Sequence, residues 1–340
     1  MTRLALILTV VCVGGLTAGV SPALGAFPGQ NGKIVFDSDR HGGDFDLWTI
    51  NPHGSDPANL TASSEANDEI ANWRADGREI VFQSDRETPF NPPVPIMERP
   101  DYELFAMNTD GSSPRQLTFN EIDDEDPAWS PDGRRIAFRR DLNPVPGETD
   151  YDIFVMKVIG GGERNLTNGP GVHDDHPNWS PDGRRIAFVS ERDGDLEIYT
   201  MRPNGSKVRQ LTFNTLATDE HPNWSPDGRW IAFNRDLDEN GEENFDLYTV
   251  PADGGRVRRL TADPDGEAMP AWSPDGREIA FASDQDGCCD IFTMRADGSG
   301  QVNRTNDNGE ALNFVPDWQP LVDVDDDHED DDREDDKGRG

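Results

Sequence analysis

One ten-residue phrase returns along this chain at a near-constant interval, and a fixed-period repeat limits the fold more than any other feature. Its clearest copy is Trp179-Ser180-Pro181-Asp182-Gly183-Arg184-Arg185-Ile186-Ala187-Phe188. Matching phrases begin at Trp129, Trp224 and Trp272, a weaker one begins at Trp73, and Gly32-Lys33-Ile34-Val35-Phe36 keeps only the second half. With Trp318 included, successive tryptophans lie 56, 50, 45, 48 and 46 residues apart. That period fits one four-stranded propeller blade.

Each module has the same internal order. Trp and the residues before it form a first strand. Ser-Pro-Asp-Gly is a tight turn, because Pro presets φ, Asp bonds its own backbone and Gly accepts positive φ. Arg-x-Ile-Ala-Phe is the second strand. An acid then opens a third strand, as in Asp152-Ile153-Phe154-Val155-Met156, and the fourth ends in Leu-Thr, as at Leu211-Thr212. Sizeable side chains on both faces of the third strand suit a sheet covered on each side.

The two ends are complementary. Residues 31–61 hold strands two to four without a Trp strand, whereas Phe314-Val315-Pro316-Asp317-Trp318-Gln319-Pro320 is a Trp strand with nothing after it. Joining them completes a blade. The expected fold is therefore all-β, a six-bladed β-propeller closed by pairing of the C-terminal Trp strand with the N-terminal module, which removes exposed sheet edges.

Residues 1–26 read as a signal peptide, with Arg3, an apolar run from Leu4 to Val13 and small residues at Ala23-Leu24-Gly25-Ala26. The propeller occupies 27–322. Residues 323–340 hold 11 acids against 3 bases and are expected to be a disordered acidic tail. Two insertions, 86–101 and 141–150, extend second-to-third loops, either as tolerated surface or as a contact ridge. Cys288 and Cys289 are adjacent, as two thiols or as a vicinal disulfide.

The whole chain carries 31 Lys and Arg against 67 Asp and Glu, a net charge of −36. That balance argues against nucleic acid and against an anionic membrane surface. After signal cleavage no stretch is apolar enough to span a bilayer. The expected location is secreted, periplasmic or otherwise in the cell envelope, and the expected state is a monomer.

The phrase Trp-Ser-Pro-Asp-Gly-Arg-x-Ile-Ala-Phe, with acid-Ile-Tyr/Phe-x-Met and Leu-Thr after it, resembles the WD-like propeller repeat of the TolB family across residues 31–320. The resemblance implies a six-bladed propeller serving as a periplasmic interaction module for partner proteins. It also extends to the propellers of prolyl oligopeptidases and the tricorn protease, whose separate catalytic domains have no counterpart in these residues. TolB-related pectin-fragment lyases place histidine ligands in a propeller channel, a looser likeness.

The candidate chemistry sits just before each Trp. Asp68, Asp124, Asp174, Asp219 and Glu267 stand five residues ahead of it, and Asp126 stands three ahead. Equivalent positions of successive blades form a ring, so these acids are expected to surround a channel mouth and bind a ligand. His176 and His221 fall three residues before Trp in consecutive blades. Neutral imidazoles beside carboxylates suit a transition metal, with His173 or Asp126 completing the set. Asp236, Asp238 and Asn240, followed by Gly241, match the opening of a calcium loop, although the twelfth position is Leu247. The cofactor, if one is used, is thus calcium or a transition metal. The leading expectation is a binding module for an envelope or extracellular protein, or for a carbohydrate. The alternative is a metal-dependent polysaccharide lyase or hydrolase.

Overall fold

The computed structural model describes residues 29–322 apart from 41, 63–64, 87–100, 144–149, 170, 215–216, 237–243, 288 and 307–310. The signal segment, the acidic tail, most of both insertions, Cys288, and Asp238 and Asn240 lie outside the described residues.

The Trp strands are the inner strands of six four-stranded antiparallel sheets. Five of these begin with Asp68–Trp73, Asp124–Trp129, Asp174–Trp179, Thr218–Trp224 and Glu267–Trp272. The sixth sheet pairs Asn313–Leu321 with Gln30–Ser38, followed by Asp46–Ile50 and Ala58–Asn59. The closure expected from the two incomplete ends is the one formed. This shared sheet is blade 1, and the others are blades 2 to 6 in chain order.

The repeated phrase holds each blade together and ties it to the next. Trp73, Trp129, Trp179, Trp224 and Trp318 are fully buried, as are Phe36, Phe82, Phe138, Phe188, Phe233 and Phe281. In the turn after Trp129, Ser130 Oγ donates to Asp132 Oδ1 at 2.6 Å and accepts the Arg135 N–H at 2.9 Å. Gly228 closes its turn at φ 65°, and a Cβ there would meet Pro181 of the preceding blade at 3.2 Å. The Ser-Pro-Asp-Gly turns therefore stack blade on blade as well as reverse the chain.

The Leu-Thr threonine completes a second repeated network. Thr118 Oγ1 accepts the Leu104 N–H at 2.9 Å, and Thr212 Oγ1 accepts that of Ile198 at the same distance. Thr61 and Thr167 also donate to Asp46 and Asp152, the acids that open the third strands. Those acids are structural acceptors.

Strand alternation gives the disc two unlike faces. The Ser-Pro-Asp-Gly turns and the third-to-fourth turns share one, the turn face. The second-to-third loops and the links into each next first strand share the other, the loop face.

Candidate functional site: a closed axis with one polar side

The acids that open the inner strands do not line an open ring. Asp68, Asp124, Asp174 and Asp219 are at most 1% exposed, and each is met by an arginine from its own blade. Arg86 reaches Asp68 at 2.6 Å, and Arg140 grips both oxygens of Asp124 at 2.5 and 2.7 Å. Arg192 reaches Asp174 at 2.5 Å, and Arg235 holds both oxygens of Asp219. Each guanidinium also lies over two rings of its blade, as Arg86 does over Phe82 at 5.3 Å and Phe105 at 5.0 Å. Ion pair and cation–π contact draw each acid into its blade. Burial raises the pKa values of Asp68, Asp124 and Asp174, and the arginine offsets part of the rise.

Glu267 breaks this pattern. The position of Arg86 is taken in blade 6 by Gln285. Glu267 is fully buried, and neither carboxyl oxygen makes a well-formed hydrogen bond to a described residue. Burial pushes its pKa up to about 8, with Asp263, Asp246 and Asp265 adding to the rise and the Thr261 hydroxyl easing it.

The axis itself is formed two residues later. Ile70, Asp126, His176, His221, Met269 and Val315 all stand three before Trp, and all have φ between 46° and 58°. Each lies within the register shift of its inner strand, for example between Glu69 and Asn72 or Asp175 and Asn178. This bulge turns one extra side chain toward the axis, at the cost of a backbone conformation that β-branched residues rarely adopt. All six residues are at most 8% exposed. Ile70, Met269 and Val315 pack in one cluster with Phe314 and Phe245. That cluster draws on blades 1, 2, 5 and 6, so the channel is plugged at this level.

The opposite side of the plug is charged. The rings of His176 and His221 lie 4.6 Å apart. His176 Nδ1 is 2.8 Å from Asp175 Oδ1 and 3.4 Å from Asp126 Oδ2. Arg139, fully enclosed, reaches Glu125 at 3.0 Å, Asp126 at 3.2 Å and Asp175 at 2.8 Å. Burial opposes a charge on His176, but Asp175 and Asp126 outweigh it and push its pKa up to about 10. Burial likewise opposes ionisation of Asp175, and Arg139 with His176 nevertheless holds it well below the usual carboxylate range.

Asp126, Asp175 and His176 can point one ligand atom each at a common centre. Arg139 already contacts the Oδ2 atoms of both aspartates, so a metal at that centre would have to displace an internal cation. His221 stands beside the group with Nδ1 3.7 Å from Glu220. His173 is not drawn in; its ring packs against Tyr151 at 5.9 Å and its N–H donates to Glu191. Asp236 ends a second strand and accepts the Asn244 N–H at 3.4 Å. The sequence reading passes over Arg139. The available signal was its place after Phe138, where the other blades carry Asp37, Gln83, Val189, Asn234 and Ala282.

A family model described as the TolB beta propeller domain matches residues 145–242 and 219–325. The chain belongs to the TolB β-propeller family. No curated protein matches it. Among solved structures, TolB from Acinetobacter baumannii is similar with a TM-score of 0.69 at 22% identity, over 88% of this chain and 68% of that one. An oligogalacturonate lyase from Vibrio parahaemolyticus is similar with a TM-score of 0.54 at 14% identity, over 82% of this chain and 92% of the other. A further oligogalacturonate lyase structure, in complex with manganese, is similar with a TM-score of 0.52 at 16% identity, over 81% and 89% of the two chains. These likenesses show the fold. In this TolB-family propeller the blades are regular and the axis is individual, three of its six plug residues being polar. Among the described residues no helix is long and apolar enough to cross a membrane.

Proposed function

We propose that this propeller is a binding module of the cell envelope or extracellular space that engages a protein partner through its loop face. The observation that carries the reading is a pair of exposed aromatics on that face. The phrase Gln-Leu-Thr-Phe-Asn occurs at 116–120 and again at 210–214. It leads from blade 2 into blade 3 and from blade 4 into blade 5, and leaves Phe119 54% and Phe213 73% exposed. Exposed aromatics on a polar surface are characteristic anchors of protein contacts. Glu220, partly accessible near the axis, adds negative charge to that face, which favours a partner carrying basic groups.

A metal-dependent lyase is the rival, supported by the two oligogalacturonate lyase structures and by the Asp126, Asp175 and His176 group. One experiment separates the two. Full-length protein exported by its host is compared with Phe119→Ala/Phe213→Ala and with His176→Ala/His221→Ala for metal content, lyase activity on oligogalacturonate and crosslinked envelope partners. Loss of one discrete crosslinked partner in the Phe variant alone supports binding. A metal and an activity that both disappear in the His variant would replace that reading with the lyase.

A further inference from the structure

A strongly basic groove lies on the turn face of this acidic protein. It has a volume of about 910 Å³ and is lined by seven basic side chains and two carboxylates, Asp182 and Asp253. Nearly a quarter of the 31 Lys and Arg residues of the chain are thus gathered in one place. Blade 4 supplies most of them from its two turns, with Arg135 and Arg164 entering from blade 3.

Hydrogen bonding leaves much of this charge uncompensated. Arg164 donates to the backbone carbonyl of Asn204 at 2.7 Å, and Arg209 donates to that of Asp253. A carbonyl satisfies the donor without cancelling the charge. Arg185 lies over the Trp224 ring and reaches Asp253 at 2.9 Å. Arg184, 84% exposed, stands 3.8 Å from Asp182, and Arg135 stands 3.9 Å from Asp132, both long and solvent-facing pairs. Arg202 and Lys207 are exposed and have no side-chain partner among the described residues. Like charges held this close lower one another's stability, and an anion in the groove would relieve the repulsion.

We propose that this groove is the docking site of the chain's own acidic segment, residues 323–340, which brings 11 carboxylates and 3 basic groups. Three observations favour this occupant. Its charge is complementary. It leaves from the same face: the Asn313–Leu321 strand ends there, with Gln319 Nε2 donating to the Gly77 carbonyl in the turn of blade 2 at 3.0 Å. It is also long enough. Its 18 residues span up to roughly 60 Å extended, whereas a globular body of this size has a half-width of about 25 Å. Tethering raises the local concentration of the segment to the millimolar range, so weak exposed ion pairs suffice in number. The inference is independent of the loop-face reading.

The test is zero-length carbodiimide crosslinking of the full-length protein, followed by peptide mass spectrometry. Lys207 is the one lysine in the groove, and Lys157 is the internal control, since Lys33 stands beside Gln319 at the root of the segment. The expected result is an intramolecular bond from Lys207 to acids of 323–340, suppressed in about 0.5 M salt, where the screening length falls to a few ångströms. Arg184→Glu with Arg202→Glu, both exposed and so tolerated by the fold, should lower its yield at least about fivefold. Three results would overturn the assignment: crosslinking of Lys157 equal to that of Lys207, a yield unchanged in the double variant, or crosslinked dimers in place of the intramolecular product. Dimers would assign the groove to a second copy of the chain.

Discussion

Glu267 offers the sharpest measurement. The perturbation is Glu267→Gln, which keeps the shape of the side chain and removes its titration. The carboxyl moves from 4.5 to about 8 on folding, chiefly through burial. A folded value above the unfolded one means that its contribution is complete below about pH 4.5 and is lost as pH rises through about 8. At about 1.36 kcal/mol per pH unit, full ionisation would cost at most ~5 kcal/mol. Water entry and local relaxation reduce this to about 2 kcal/mol. Urea unfolding of both proteins should therefore diverge progressively from about pH 4.5, with the divergence complete by about pH 8 and the wild type losing ~2 kcal/mol relative to the variant. Glu103, pushed up to about 8, and Asp317, pushed up to about 7, titrate in the same direction, again chiefly through burial. The protein as a whole should thus gain stability on mild acidification, and the difference between the two curves isolates Glu267. Restoring the repeat with Gln285→Arg should also remove the alkaline loss, because Phe281 and Phe292 keep the stacked pair that carries the guanidinium in other blades. Parallel curves for wild type and Glu267→Gln across the whole range would refute the reasoning.

Three further outcomes are expected. Arg139→Met should destabilise the fold by about 3–5 kcal/mol, because it leaves the buried Glu125 and Asp126 and the partly accessible Asp175 without their cation; denaturant unfolding measures it, and a loss under ~1 kcal/mol would contradict the network. His176 contributes stability that is complete below about pH 6.5 and disappears as pH rises through about 10; nuclear magnetic resonance titration of the imidazole should find it protonated at about pH 8, and a neutral ring there would reopen the metal reading. Thr118→Val should cost about 1–2 kcal/mol in thermal unfolding, since it leaves the buried Leu104 N–H without its acceptor.

The fold was legible because each module states the same answer at several levels. Turn residues, alternating burial and period agree, and the half-modules at 31–61 and 313–321 require each other. The site was legible only in part. Spacing placed Asp126, His176 and His221 on neighbouring blades, and they are together. Spacing could not say that Asp68 and its equivalents would turn into their own blades, because the partner arginine arrives 16 or 18 residues later, as in Asp124 with Arg140 and Asp68 with Arg86. Nor does a list of acids and histidines reveal that a cation is already among them. Arg139 comes from the second strand, outside the stretch where ligands were sought.

Blade 1 has a consequence for how the molecule is made. Its inner strand pairs Trp318 with Ile34 and Asn313 with Ser38, so among the described strands the earliest to leave a ribosome waits for the latest. Until then Gln30–Ser38 presents an open strand edge, the kind of surface that invites pairing with another chain. The closing loop spans nearly the whole polypeptide, yet its entropy grows only with the logarithm of length, about 0.6 kcal/mol per doubling. The delay is therefore kinetic more than energetic. A chain truncated before Asn313 would carry that edge permanently.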